Sequence, residues 1–405
     1  MIGKCLKTAS LAGSYAALLL RRLRRAGPPD ETRPRRILVL GYAAIGDLIF
    51  LLPTLRVLRD AFPQASITFL ADRYAGTEEL LPASGLVDDI WLYEHSELAQ
   101  SRFRREIFRR VRAAGFDALV VSQATPMRAF AQAILGIPLR VGHCRPLIAP
   151  HAGWSRLRYA WWRLLRGVVS GEFERLLALN RPVWVHEDRE HTVSRNLRLA
   201  QALGLAVPKA EASRPELPVT LTEVPDRTMV GLHVGSPLSA YHKIWPVERW
   251  GEVCRRLSER FPLRFALFGG PQERDLVRPF AAAFKGEFAD LVGRTSLLQT
   301  FAAIRRCRLF LSNDTGLSKS AMALGVPTAT VWGPSDRPGY GVIWEPEKHL
   351  EISLDIACSP CVRMGLRQEG SGVINFDDCG HHDCLNRMTP ELVLEALTRW
   401  ISSRT

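Results

Sequence analysis

Short apolar runs alternate with longer stretches of helical periodicity from residue 36 to the end of the chain. Fully buried strands read as continuous apolar runs, whereas helices that flank a sheet carry one apolar face. The predicted strands are residues 37–40, 66–70, 118–121, 229–233, 263–268, 309–312 and 328–332, and the predicted helices are 47–60, 126–135, 247–260, 297–306, 315–324 and 390–401. This alternation predicts an α/β fold of doubly wound units with parallel sheets.

A proline-rich interruption divides the pattern into two halves. The chain has 405 residues, more than the usual domain of about 100–200 residues. Residues 205–228 contain four prolines and little periodicity, which is typical of a linker. The predicted organisation is a basic extension at 1–35, an N-terminal domain at 36–204, the linker, a C-terminal domain at 229–389 and a terminal helix at 390–405.

Residues 144–190 interrupt the N-terminal pattern and are predicted to be an insertion. Leu157, Trp161 and Leu164 fall on one helical face, and three arginines fall on another. A basic amphipathic helix of this kind can lie on a membrane or cover the mouth of an acceptor site. An ordinary helix that packs its apolar stripe on the sheet is the alternative interpretation.

The positive charge is concentrated at the N-terminus. The formal net charge is +13, and residues 1–36 hold nine Lys or Arg against two acidic residues, about half of the excess. The apolar stretch within them, residues 9–20, is too short to cross a bilayer, and the arginines that follow it argue against a secretory signal. We therefore predict an anchor on the inner face of the cytoplasmic membrane of a cytoplasmic protein; a frayed basic extension is the alternative.

The first predicted strand runs into a glycine-bounded turn that ends in Gly46 and Asp47. This turn lacks the lysine and hydroxyl residue of a phosphate loop and the spacing of a dinucleotide fingerprint, so we expect no nucleotide in this half. At a helix N-terminus the carboxylate of Asp47 should stay ionised, and it can accept a proton from an attacking sugar alcohol. A simple helix cap is the alternative role.

A second turn, Ser312-Asn313-Asp314-Thr315-Gly316-Leu317-Ser318-Lys319, follows an apolar strand and opens a helix. Asp314 is predicted to be the N-cap, which leaves the amides of Thr315 and Gly316 free to bind a diphosphate at the positive end of the helix. Lys319 lies one turn further on and can add a cation if it points inward. A solvated lysine is the alternative.

Three more residues of the C-terminal half complete the predicted donor site. Ser236 lies in a small-residue turn after a strand, and Glu273 follows another strand, where a carboxylate can hold ribose hydroxyls. Lys243 lies just before a helix that begins at Pro246, and it can neutralise charge on a departing phosphate. The sequence contains no Asp-x-Asp pair of the kind that binds a metal-diphosphate complex. We therefore predict catalysis without a metal cofactor.

Four of the eight cysteines cluster as Cys358, Cys361, Cys379 and Cys384. Their spacing is compatible with a structural zinc site, and free thiols are the main alternative because a reducing cytoplasm disfavours disulfides. The other four are scattered, and buried apolar positions are expected for them.

Several of these motifs occur together and in order: Gly46-Asp47 with Pro53-Thr54-Leu55, Lys243-x-Trp245-Pro246, Gly269-Gly270, Ser312-Asn313-Asp314-Thr315-Gly316, and Ala323-Leu324-Gly325-Val326-Pro327-Thr328. In this combination the chain resembles glycosyltransferase family 9, the heptosyltransferases of lipopolysaccharide core synthesis, from about residue 36 to residue 400. The resemblance implies a GT-B fold, in which two Rossmann-like domains face a central cleft, and an inverting single displacement. It implies Asp47 as the base, Lys243 as the donor-phosphate lysine, Glu273 as a ribose contact, and Asp314, Thr315 and Gly316 as the diphosphate turn.

The resemblance also implies the partners: a nucleotide-diphosphate sugar, with ADP-heptose favoured, and a lipopolysaccharide or related glycolipid acceptor. Lys319 stands where the family commonly has histidine, so a donor other than ADP-heptose is the first alternative. A basic nucleic-acid-binding protein with a zinc cluster is an alternative of another class. We expect no nucleic acid, because much of the charge lies in the tail rather than along the domains. A nicotinamide enzyme is disfavoured by the missing glycine fingerprint.

Overall fold

The computed structural model describes residues 33–41, 44–74, 76–122, 130, 133–134, 136–144, 178–185, 190–220, 229–236, 238–360, 379 and 381–404. The predicted anchor, most of the predicted insertion including Trp161, most of the predicted helix 126–135, and Cys361 lie outside these ranges. Among the described helices, none combines the length and the apolar character needed to span a bilayer.

The N-terminal half contains a parallel sheet of six strands in the order β3-β2-β1-β4-β5-β6. The strands are β1 (Arg36–Leu40), β2 (Ser66–Asp72), β3 (Asp89–Tyr93), β4 (Ala118–Val121), β5 (Leu139–Cys144) and β6 (Arg181–Trp184). The helices are α1 (Ile45–Ala61), α2 (Thr77–Ser84), α3 (Ser101–Ala114) and α4 (Thr192–Gln201). The edge strand β6 lies within the predicted insertion, so that segment contributes to the sheet.

The C-terminal half repeats this architecture, with a parallel sheet in the order β12-β11-β10-β7-β8-β9. The strands are β7 (Met229–His233), β8 (Arg264–Leu267), β9 (Phe288–Asp290), β10 (Leu309–Asn313), β11 (Thr328–Trp332) and β12 (Leu350–Ser353). The helices are α5 (Val247–Ser258), α6 (Val277–Phe284), α7 (Leu297–Arg306), α8 (Gly316–Ala323), α9 (Arg337–Tyr340), α10 (Asp383–Asn386) and α11 (Pro390–Ser402). The predicted α/β fold is thus confirmed in both halves.

Side chains alternate between the two faces of each buried strand. In β1, Ile37 and Val39 join the apolar cluster on the face of the sheet that carries α1, whereas Leu38 and Leu40 join a separate cluster beneath α3. Both faces are apolar because helices cover both sides of a parallel sheet. This explains why the sequence of β1 reads as a continuous apolar run.

The strand orders place the functional crevices. In each sheet the order reverses beside the first strand of the half, between β1 and β4 and between β7 and β10. Ligands of open α/β sheets bind outside the carboxyl ends of the strands at such a reversal. The turns after β1, β7 and β10 lie at these two points.

The two halves share one apolar cluster. The cluster around α1 continues from Leu48 and Phe50 into Trp332, Tyr340 and Trp344 of the C-terminal half. The N-terminus of α4 adds hydrogen bonds across the boundary, because Thr192 Oγ1 donates to Gly339 O at 2.8 Å. The carboxyl edges of the two sheets are therefore held close together.

Candidate active site

The N-termini of α1 and α8 meet at the boundary between the halves. A methyl group built on Gly316 would lie 3.1 Å from Cβ of Ile45 and 3.2 Å from N of Gly46, so a side chain here would crowd the opposite backbone. A methyl group built on Gly46 would lie 3.5 Å from Cα of Gly316. The turn that ends in Gly46 and Asp47 thus faces the predicted diphosphate turn directly.

Asp47 occupies the first turn of α1 at this contact. The residue is half-buried, and among the described residues no hydrogen bond or ion pair engages its carboxylate. Burial raises its pKa from 3.8 to about 6, although the charges of Lys243, Arg195 and Lys319 partly oppose the shift. A carboxylate with this pKa is still mostly ionised at pH 7, as expected at a helix N-terminus, but burial makes it more basic than an ordinary aspartate.

Asp314 binds two lysines. Its Oδ2 accepts a hydrogen bond from Nζ of Lys243 and its Oδ1 accepts one from Nζ of Lys319, each at 2.7 Å. Burial alone would raise the pKa of Asp314, but the two ammonium groups hold it well below its ordinary value. The predicted N-cap role of Asp314 was wrong: its carboxylate is engaged by side chains, and the cap residue is Thr315.

The helix cap at α8 differs from the prediction in one further respect. The backbone N–H of Thr315 donates to Oγ of Ser318 at 3.3 Å, and that hydroxyl donates to O of Thr315 at 2.8 Å. One of the two amides predicted to bind phosphate is therefore already used within the turn. Gly316, the first residue of α8, remains at the positive end of the helix, and Leu317 follows it half-buried.

Glu273 is linked to this turn through His233. The Nε2 of His233 lies 3.1 Å from Oε1 of Glu273, and its Nδ1 lies 3.0 Å from Oγ1 of Thr315. Burial alone would raise the pKa of Glu273, but His233 and the N–H of Gly270 hold it below its ordinary value. A methyl group on Gly269 would lie 2.9 Å from Oε2 of Glu273, so a glycine leaves room for the carboxylate.

The segment that carries Lys243 is fixed by two buried tryptophans. The backbone N–H of Trp245 and the indole N–H of Trp250 both donate to Oδ1 of Asn313, at 3.3 and 3.1 Å. Nδ2 of Asn313 donates to O of Val234 at 2.7 Å, which ties β10 to the turn after β7 that contains the buried Ser236. The predicted donor residues are thus brought to one edge of the second sheet.

Arg195 is a candidate site residue that was not predicted from the sequence. It lies fully buried on α4, with its guanidinium 5.8 Å from the ring centroid of Tyr340. Nη2 donates to Oγ1 of Thr192 at 2.6 Å, but Nε and Nη1 have no hydrogen-bond partner in the part of the chain that the structure describes. Its positive charge lowers the pKa of Asp47, against the effect of burial. No sequence motif predicts the proximity of Arg195 to Asp47, because that proximity depends on the contact between the two halves.

The cysteine cluster is partly described. Cys358 is exposed, Cys379 is half-buried and Cys384 is buried, while Cys361 lies outside the described residues. Within the described ranges, no group of three or more His, Cys, Asp or Glu side chains is placed to hold a metal ion. The four-cysteine zinc site stays a prediction. Cys144, Cys254 and Cys307 are buried, as expected from their scattered positions.

Comparison of the sequence with known proteins finds relatives in one family. The sequence model of glycosyltransferase family 9 (heptosyltransferase) matches residues 167–371. Lipopolysaccharide heptosyltransferase 2 of Escherichia coli K12 is 25% identical over 374 residues, which cover 89% of this chain and 97% of that protein. Lipopolysaccharide heptosyltransferase 1 of Pseudomonas aeruginosa is 32% identical over 181 residues, which cover 43% of this chain and 48% of that protein.

Solved structures show the same fold. E. coli ADP-heptose lipopolysaccharide heptosyltransferase II superposes with a TM-score of 0.62 at 22% identity, covering 91% of this chain and 99% of that one. E. coli heptosyltransferase WaaC, solved with ADP-2-deoxy-2-fluoro heptose, superposes with a TM-score of 0.59 at 18% identity, covering 91% of this chain and 100% of that one. The predicted GT-B arrangement of two Rossmann-like domains is confirmed.

Proposed function

This chain belongs to glycosyltransferase family 9, and from that premise we propose that it transfers heptose from ADP-heptose to a lipopolysaccharide core or related glycolipid acceptor. It is a glycosyltransferase by family. The donor, the acceptor and the mechanism are our proposals. The single observation that supports them most is the meeting of Asp47, free of hydrogen bonds among the described residues, with the Asp314-lysine cluster across the boundary.

The donor proposal rests on the relatives. The relatives described above are named as lipopolysaccharide heptosyltransferases, and one solved neighbour was captured with an ADP-heptose analogue. The donor-side residues Lys243, Glu273, Asp314 and Thr315 of this chain lie together at the carboxyl edge of the second sheet. We assign the ribose contact to Glu273, whose carboxylate is held by His233 and by the N–H of Gly270.

We propose Asp47 as the general base. With a pKa of about 6 the carboxylate is about nine-tenths ionised at pH 7, yet it is more basic than an ordinary aspartate. Asp47 takes the proton of the acceptor hydroxyl while the hydroxyl oxygen bonds to the anomeric carbon of the donor. The bond from that carbon to the diphosphate oxygen breaks in the same step.

The charge of the departing diphosphate needs stabilisation on the opposite side of the sugar. We assign this role to Lys243 and the N-terminus of α8, which lie across the boundary from Asp47 and can supply positive charge without a metal cofactor. Since the attacking oxygen and the leaving oxygen occupy opposite faces of the anomeric carbon, the transfer inverts its configuration.

The location of the protein follows from the acceptor class. Lipopolysaccharide is a glycolipid, so its precursor lies in a membrane. We propose that the enzyme works in the cytoplasm, peripherally on the inner face of the cytoplasmic membrane, with the basic residues 1–36 attracted to anionic lipid.

Thermal-shift measurements test the donor proposal. A ligand that binds only the native state raises the free energy of unfolding by RT ln(1 + c/Kd), where c is its free concentration, and the melting temperature rises with it. ADP-heptose should raise it more than UDP-glucose, GDP-mannose or ADP-glucose at equal concentration. A larger shift with a UDP or GDP sugar would show that the donor is another nucleotide sugar.

Two variants test the mechanism. Asp47→Ala should lose transfer by a factor of about 10²–10⁴, the usual contribution of a general base, while its affinity for ADP-heptose stays near that of the wild type. Lys243→Ala should mainly weaken ADP-heptose binding. Full transfer by the Asp47 variant would refute the base, and unchanged donor affinity in the Lys243 variant would refute the phosphate contact.

A further inference from the structure

Lys319 is a buried charged residue that the proposed mechanism does not use. It is only 3% exposed, and its ammonium lies 4.3 Å from the ring centroid of Trp332. A buried ammonium is costly unless it is paired, and burial lowers the pKa of Lys319 while Asp314 opposes that shift. We therefore expect the buried charge of Lys319 to have a function that offsets this cost.

The geometry places Lys319 behind Asp314. The two oxygens of the Asp314 carboxylate are divided between the lysines, with Lys319 on Oδ1 and Lys243 on Oδ2. The side chain of Lys243 is 16% exposed, whereas that of Lys319 is 4% exposed. Lys243 is thus the member that can reach a ligand, and Lys319 acts through the carboxylate.

The net charge of the cluster depends on all three groups, Lys243, Asp314 and Lys319. Lys243 and Asp314 alone form a neutral pair, which attracts an anion weakly. With Lys319 added, the cluster carries two positive charges and one negative charge, a net charge of +1. A low-dielectric site makes this difference larger than it would be in water.

We propose that Lys319 is a positioning residue for the donor: it neutralises Asp314 from the buried side, so that Lys243 presents an uncompensated positive charge to the second phosphate of the nucleotide. This inference rests on the proposed function and deepens it, because it gives Lys319 a part in recognising the second phosphate of the donor.

Binding of ADP and AMP to purified full-length protein tests the inference. Lys319→Met keeps an apolar contact with Trp332 but removes the charge. We expect it to weaken ADP binding about tenfold or more and AMP binding about twofold or less, since a charge-assisted contact to the second phosphate is what AMP lacks. Lys319→Arg, which keeps the charge and can stack on the indole, should retain most of the ADP preference.

The matched control is Met322→Leu, a volume-conserving exchange of another buried residue on α8. It should leave the ratio of ADP to AMP affinity at the wild-type value. Melting temperatures report whether each variant folds, and Lys319→Gln replaces the methionine variant if that one does not. An unchanged ADP-to-AMP ratio in a folded, uncharged Lys319 variant would overturn the inference.

The same titrations with UDP and UMP separate this inference from the donor proposal. If the wild type prefers UDP to ADP, the ADP-heptose assignment fails, but loss of the UDP-to-UMP preference in Lys319→Met would still support the role of Lys319. If the wild type binds neither diphosphate more tightly than its monophosphate, the assignment of Lys319 is wrong.

Discussion

The half-buried carboxylate of Asp47 should set the lower pH limit of activity. A general base works only when deprotonated, and the pKa of Asp47 is raised to about 6. We expect kcat/KM to fall about tenfold for each pH unit below that value and to be nearly level above about pH 7. Initial rates from about pH 5 to pH 8 check this. A profile that stays level down to pH 5 would contradict the role of Asp47.

The same shift has a consequence for stability with the opposite pH sense. Because folding raises the pKa of Asp47 from 3.8 to about 6, its protonated form favours the folded state, and that contribution is lost as pH rises through about 6. Asp47→Asn, which stays neutral, should therefore gain about 1–3 kcal/mol in the free energy of unfolding at pH 8 and much less near pH 4. Denaturant unfolding at both pH values measures the difference. An equal change at both would show that Asp47 titrates normally.

Single residues differ in how far the sequence predicts them. Asp47 and Asp314 follow apolar strands closely and Lys243 lies just before a helix, and the structure brings the three residues together. The link from His233 to Glu273 joins residues 40 positions apart and carries no local signal. The guanidinium of Arg195, whose Nε and Nη1 have no hydrogen-bond partner among the described residues, lies near Tyr340 of the second half of the chain. Local pattern finds residues at strand ends, whereas burial and pairing need the tertiary structure.

The N-termini of α1 and α8 approach one another through two glycines, which makes this contact sensitive to one methyl group. Gly316→Ala would place a carbon 3.1 Å from Ile45, so the helices must separate by a few tenths of an ångström. Because reacting groups tolerate little misplacement, we expect kcat/KM to fall about tenfold or more. Gly46→Ala, whose methyl group lies no nearer than 3.5 Å to the opposite half, should lose less.

Transfer assays and melting temperatures of both glycine variants distinguish a shifted helix from a destabilised fold. A melting temperature near that of the wild type with reduced transfer supports the contact described here. Equal activity of the two alanine variants would show that the halves are further apart during turnover than in this structure.

Strong apolar strands and capped helices were the elements that the sequence predicted best. The bounds of α7 and β11 agree with the predicted ranges, and those of β1, β7 and β10 differ by one residue at most. Strand β6, Arg181-Pro182-Val183-Trp184, was not predicted because it is short and contains a proline, which a strand at the edge of a sheet tolerates. The cap of α8 shifted by one residue, since lysine pairing occupies Asp314.

The distribution of charge over the whole chain predicts a separable membrane attachment. About half of the net charge of +13 lies in residues 1–36. Deleting residues 1–30 should release the protein from anionic vesicles, because each basic residue near such a surface contributes about 1 kcal/mol. Turnover with a soluble acceptor should persist. Vesicle sedimentation of the full-length and shortened proteins measures this, and unchanged binding would show that another surface carries the attachment.

The relative placement of the two halves is the part of the architecture that periodicity does not reveal. Each half has its own sheet pattern, and the resemblance to family 9 supplied the expectation of a shared cleft. In the structure the two are joined by Thr192 to Gly339, by His191 to Gly341, and by side chains of α1. Contacts of this kind depend on shape and have no repeat along the sequence.

The packing of Phe50 against the other half of the chain limits how the two halves can change during evolution. Its ring lies 5.8 Å from that of Trp344 and 6.1 Å from that of Tyr340, both in the other half. A smaller ring at one of these positions leaves a void and a larger one causes a clash, unless the other two side chains change size to compensate. We therefore expect the three positions to covary among homologues, so that the two Rossmann-like units diverge together rather than as exchangeable modules.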